Sequence, residues 1–143
     1  ISSTMWTDRL GFIAANETLK KLKKNKINKL ISSYGNIIKN GWIKNATKHK
    51  IDISVSGQDT ISYLKFNYKN NAEIVTFFTQ EMLKRGYLAG SQVSTTSAYN
   101  KNIINKYLKE VDQVFGKIKF FLEKGKFPLK GEIKHSTFKR LTG

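Results

Sequence analysis

The apolar residues of this chain change their spacing partway along, and that change limits the folds open to it. Phe12, Ala15, Leu19 and Leu22 fall three or four apart, which predicts an apolar stripe on a helix from about Asp8 to Lys24. Thr7 or Asp8 is placed to cap its start, and the lysines at its far end suit the negative end of the helix dipole. Ile27, Leu30, Ile31, Tyr34, Ile37 and Ile38 carry the helical spacing into a second helix, with Gly41 or Asn45 as its expected stop. Both stripes read as ordinary core and packing surfaces. From Ile51 the period is two: Ile51, Ile53 and Val55 alternate with polar residues, as in a half-buried strand.

Ser56-Gly57-Gln58-Asp59 supplies turn chemistry, and a second strand follows from Ile61, with Leu64, Phe66 and Tyr68 alternating with Lys65 and Asn67. The two segments are expected to pair antiparallel. Helical spacing returns from about Ala72 to Arg85, with Ile74, Phe78 and Met82 four apart and Gly86 where a left-handed residue closes a helix. Gln92 to Tyr99 is a Ser/Thr-rich strand candidate. Asn100 is expected to cap the last helix, whose stripe runs from Ile104 through Tyr107, Val111, Phe115 and Ile118 to Leu122. Pro128 breaks the pattern, and the remainder reads as a loop with a short basic tail. Few strands and segregated helices point to an α+β fold, with helices packed on one face of a small antiparallel sheet.

At 143 residues the chain is long enough for one core and too short to expect two. It has no cysteine, which removes disulfides and thiolate metal sites and suits a reducing compartment. No apolar run approaches the roughly 20 residues that cross a bilayer, and no charged-then-apolar leader opens the chain. A cytoplasmic protein without a membrane partner is the expectation. The net charge of +16 raises a second reading, a stand-alone basic module for nucleic acid or an acidic partner. Against it, only Arg9, Arg85 and Arg140 are arginines, the lysines are scattered, and aromatics are not interleaved with them. Solvated basic surfaces are the preferred account, and nucleic acid is not the expected partner.

Sites that carry chemistry by themselves are missing. His49 and His135 have no Asp or Glu at ligand spacing, so no metal site is expected, and both read as surface residues. Gly86 and Gly90 are isolated and make no phosphate loop, and Glu110 and Asp112 read as solvated helix positions. One local feature suits an anion. Ser2, Ser3 and Thr4 precede a helix start, where hydroxyls and free backbone N–H groups converge; an ordinary Ser/Thr cap is the alternative.

The segment Ser2-Ser-Thr-Met-Trp-Thr-Asp-Arg-Leu-Gly-Phe-Ile-Ala-Ala15 resembles the Ser-Ser-Thr-Phe-Trp-Thr-Glu-Arg-Ile-Gly-Pro-x-Ala-Ala segment of class III (fold type I) pyridoxal-phosphate (PLP) aminotransferases. The resemblance is nearest to the branch of glutamate-1-semialdehyde 2,1-aminomutase. Gln80-Glu-Met-Leu-Lys-Arg-Gly86 is similar to the end of a helix in that branch, and Ile104 to Phe115 resembles the family's last helix. Phe138-Lys-Arg-Leu-Thr142 looks like a natural C-terminal ending.

The resemblance implies the C-terminal part of a homodimeric enzyme that uses pyridoxal 5'-phosphate and acts on a small amino or carbonyl substrate. Residues 1-24 would be the end of the large-domain or interface segment with its connecting helix, and residues 25-143 the C-terminal small domain. The family's phosphate-binding Thr corresponds to Thr4, reaching the neighbouring subunit's site, with Ser3 beside it and Trp6 nearby. Phe12 departs from the usual Pro. None of the 23 lysines occupies the Schiff-base position, which the family places upstream of Ile1. The abrupt start at Ile1 is therefore expected to be a cut within a larger enzyme, and the chain alone is not expected to turn over substrate.

Overall fold

The structure, a computed structural model, describes residues 8–134. Among the described residues, four helices and three strands follow in the order α1 (Arg9–Lys24), α2 (Ile27–His49), β1 (Ile53–Gln58), β2 (Ile61–Phe66), α3 (Asn71–Leu83), β3 (Gln92–Ser94) and α4 (Lys101–Lys124). The sheet is antiparallel with β2 in the middle. The α+β expectation holds.

Period two puts alternate residues of β2 on opposite faces. Ser62, Leu64 and Phe66 are buried, while Ile61, Tyr63 and Lys65 face outward. The inner face meets the stripes of α2, α3 and α4, and the core forms there. Phe66, Phe78 and Phe115 are fully enclosed, with ring centroids 5.7–6.2 Å apart in tilted or edge-on pairs. Trp42 of α2 is enclosed beside α4, where its indole Nε1 donates to the Tyr107 hydroxyl at 3.0 Å.

Several boundaries differ from the expectation, each for a local reason. α2 does not stop at Gly41 or Asn45. Asn45 Nδ2 donates to the Leu108 carbonyl at 2.9 Å, and Gly41 lets Leu108 pack close, so both residues serve the contact with α4. The helix ends instead at Lys50, whose left-handed backbone (φ 52) turns its N–H back to the carbonyls of Ala46 and Thr47. The hairpin turn is not Ser56–Asp59. Gln58 pairs with Ile61, which leaves Asp59 and Thr60 as a two-residue loop. The strand expected over Gln92–Tyr99 shrinks to Gln92–Ser94, since Thr96 and Asn100 use their side chains on local N–H groups.

Other expectations hold in detail. Asp8 caps α1 by accepting from Leu10 N at 3.2 Å, and Asn100 caps α4 by accepting from Ile103 N at 2.9 Å. Gly86 takes the left-handed φ of 82, with Gly86 N bonded to Leu83 O and Tyr87 N to Met82 O, the paired bonds of a Schellman end.

The stripe on α1 departs furthest from the expected packing. Leu10, Phe12, Ile13 and Leu19 are 59–71% exposed, and no residue of α1 is buried. The helix touches the described residues at its α2 end, where Leu22 is half covered. Among the described residues, no helix is long and apolar enough to cross a membrane.

Candidate functional site

Ser3 and Thr4, the residues matched to phosphate binding, lie outside the described residues, as do Trp6 and His135. The described neighbour of that segment is the start of α1. There Asp8 already holds the Leu10 N–H.

An apolar cleft of about 340 Å³ lies between α2, α4 and the stretch from Gly86 to Val93. Ile38 and Ile104 form its buried wall, and Tyr87, Tyr99 and Tyr107 line it with ring faces and edges. Tyr87 and Tyr107 stack edge-on with centroids 5.8 Å apart. The Schellman end at Gly86 turns the chain sharply enough to bring Tyr87 back against α4, which makes the cleft. Burial raises the Tyr107 phenol well above its ordinary range, against the hydrogen bond from Trp42 that pulls the other way, so it stays neutral. The cleft suits an apolar group of a small molecule. Among the described residues, it is lined by no carboxylate, imidazole or lysine that could move a proton.

Beside the cleft lies an ionic cluster with no counterpart in the sequence reading. Glu81 is 3% exposed and is the acceptor for Lys84, for Arg85 Nη1 at 3.1 Å and for Lys117 Nζ at 2.6 Å. Arg85 also reaches Glu110 through Nε at 3.1 Å. Burial pushes the Glu81 carboxyl up, but hydrogen bonds from Lys117, Lys84 and Arg85, with the Lys117 charge, outweigh it and hold the group at about 2. The sequence does carry one trace of the cluster, because Lys84 and Arg85 stand three and four positions after Glu81.

The readings of His49 and of the α4 acids need correction. His49 is half-buried and partnered, not a free surface residue. Its Nε2 sits 2.7 Å from Asp112 Oδ1, and its ring packs where a Cβ on Gly116 would lie 3.3 Å away. Asp112 also accepts from Lys48 at 2.6 Å, and with that bond the largest influence, its carboxyl is held below the ordinary range. Glu110 and Asp112 are therefore tied residues of the α3–α4 and α2–α4 contacts, not solvated ones. The pairs form across more than 20 positions of sequence, beyond the reach of local spacing. Among the described residues, no cluster of three His, Cys, Asp or Glu side chains is arranged to hold a metal.

No protein-family model matches the chain, and no curated protein matches it. Its fold is similar to that of a solved structure, the FumI protein of Sphingopyxis sp. MTA144 in its PLP internal aldimine form. The match has a TM-score of 0.77 at 15% identity and covers 91% of this chain. The chain spans about a third of that protein, 31% of its length. The α+β layer described above is thus the fold of one part of a PLP-containing protein.

Proposed function

We propose that this chain is the C-terminal part of a dimeric PLP-dependent aminotransferase or aminomutase that acts on a small amino or carbonyl substrate in the cytoplasm. The observation that carries the reading is the fold likeness to FumI over 91% of the chain. The sequence resemblance at Ser2–Ala15 supports it as a second line of argument. In this reading residues 1-24 join the large domain or subunit interface to a small domain formed by residues 25-143. When bound, PLP supplies an electron sink for bonds at the substrate's amino-bearing carbon. The glutamate-1-semialdehyde 2,1-aminomutase branch is one candidate for the specific activity.

The residues this chain would bring to the cofactor fit a phosphate, with one restriction. Thr4 and Ser3 offer hydroxyls ahead of a helix start, a donor set suited to a dianion. Asp8 has taken the Leu10 N–H, so the phosphate would draw on the hydroxyls and on N–H groups before it. The apolar cleft beside Tyr99 and Tyr107 then serves to exclude water and to seat an apolar group.

In the intact enzyme, Thr4→Ala should weaken PLP affinity by about tenfold or more, the loss expected from a hydrogen bond to a charged group. Titration of the apoenzyme with PLP, followed by visible absorbance, reads the change. Unaltered affinity removes Thr4 from the phosphate site, and an intact enzyme that develops no PLP absorbance removes the whole reading.

A further inference from the structure

A second cleft, of about 380 Å³, is lined by residues of β1, β2 and α3 together with Ser91 and Lys134, and shares no residue with the apolar cleft. Ser56, Tyr63, Lys65, Ser91 and Lys134 surround it. Four separate parts of the chain bring them together. Ser56 and Tyr63 are cross-strand partners in β1 and β2, and Lys65 stands on the same face one pair further along, opposite Ser54. Ser91 is held at the strand by its carbonyl, which accepts from Leu64 N at 2.8 Å.

Lys134 comes from a stretch without regular structure, yet that stretch is firmly attached. Lys134 N donates to Thr76 Oγ1 at 2.9 Å, and Gln80 and Lys130 exchange two hydrogen bonds of 2.7 and 3.0 Å. Phe127 anchors the stretch between Phe77 and Phe121. Lys134 is thus brought to the same cleft as Lys65.

Among the described residues, no carboxylate lines the cleft, and neither Lys65 nor Lys134 is within ion-pair distance of one. Two lysines, two serines and a tyrosine therefore line one concavity, with Leu64 and Val75 as apolar parts of its wall. An ammonium is a compact point charge that serves an oxyanion without the planar fork of Arg. Two such charges match a dianion, and hydroxyl donors complete its coordination from the sides. We infer that this cleft binds a phosphate group, either free or as the monoester of a small molecule. It lies apart from Ser3 and Thr4 in sequence and does not depend on the cofactor reading.

The test is an NMR titration of the full isotope-labelled chain at constant ionic strength, first with inorganic phosphate and then with glycerol 3-phosphate. Signals of Ser56, Lys65, Ser91 and Lys134 should shift together and saturate. Tighter binding of the monoester assigns the site to a small-molecule ester, and equal or weaker binding assigns it to free phosphate. The double change Lys65→Gln/Lys134→Gln, at two exposed positions, should weaken binding by at least about tenfold. Lys101→Gln/Lys106→Gln removes the same charge elsewhere and should alter it by less than about twofold. Thr4→Ala should leave it unchanged, which separates this site from the proposed cofactor contact. Equal losses in the two double variants, or shifts spread over the basic surface without saturation, would overturn the proposal.

Discussion

Lys117 Nζ lies 2.6 Å from Glu81 Oε2, and this bond ties α4 to α3 across 36 positions of sequence. It makes a buried carboxylate the meeting point of three cations, so the α3–α4 contact is ionic at one end and aromatic at the other. A buried pair of this kind is costly to break from one side, because the remaining charges lose their partner.

The acid stability of the chain should follow from that carboxylate. Its folded value of about 2 lies below the ordinary 4.5. The stabilisation is thus complete above pH 4.5 and is lost as the pH falls from there through about 2. Urea unfolding should show a midpoint that drops across this window. Glu81→Gln should lose about 3 kcal/mol at neutral pH and show a flatter acid limb. Asp112 titrates in the same direction, so some slope should persist in the variant. An undiminished slope would mean that Glu81 is not the titrating group.

Gly35 and Gly41, both inside α2, should differ in their tolerance of alanine. A Cβ on Gly35 would fall 1.5 Å from the backbone carbonyl oxygen of Asp59, in the hairpin loop. The loop has to move, and Gly35→Ala should cost about 3 kcal/mol, near the top of the overpacking range. At Gly41 the obstacle is the tip of Leu108, a side chain that can rotate away. Gly41→Ala should stay within about 1 kcal/mol of the parent, since alanine's helix preference offsets the crowding. Thermal melts of the two variants make the comparison, and similar losses in both would contradict the close approach at Asp59.

Tyr107→Phe should cost about 1–3 kcal/mol, because it leaves the fully buried Trp42 N–H without its acceptor. Intrinsic fluorescence of Trp42 should shift with it. A variant as stable as the parent would show that the indole finds another partner.

Replacing the α1 stripe should do the reverse of replacing the core. Phe12→Ser and Leu19→Ser alter side chains that are 65% and 63% exposed, and each should change the stability of this chain by less than about 0.5 kcal/mol. A large loss by denaturant titration would mean that the stripe is covered in solution.

The architecture was legible wherever a rule of spacing or capping acts over a few residues. Asp8, Asn100 and Gly86 did what their chemistry predicts, and the alternation at Leu64 and Phe66 oriented β2 correctly. Where the sequence misled, a partner from far along the chain decided the outcome. Leu108 turned Gly41 and Asn45 from helix stops into contacts, and Asp112 drew in His49. Lys117 completed a cluster of which only Lys84 and Arg85 stand near Glu81. The α1 stripe misled differently, since a period reports that a face is apolar and not that anything covers it. Ser3 and Thr4 rest on resemblance, outside the described residues.

The stretch from Phe127 to Lys134 sets the order in which this molecule can be finished. It caps the outer surface of α3, occupying Glu73, Thr76 and Gln80 and filling the gap beside Phe77. Those partners leave the ribosome about 50 residues earlier, several seconds at ordinary rates of synthesis. During that interval the α3 surface is open to chaperones and to neighbouring chains, and it closes only when its own late-made segment arrives.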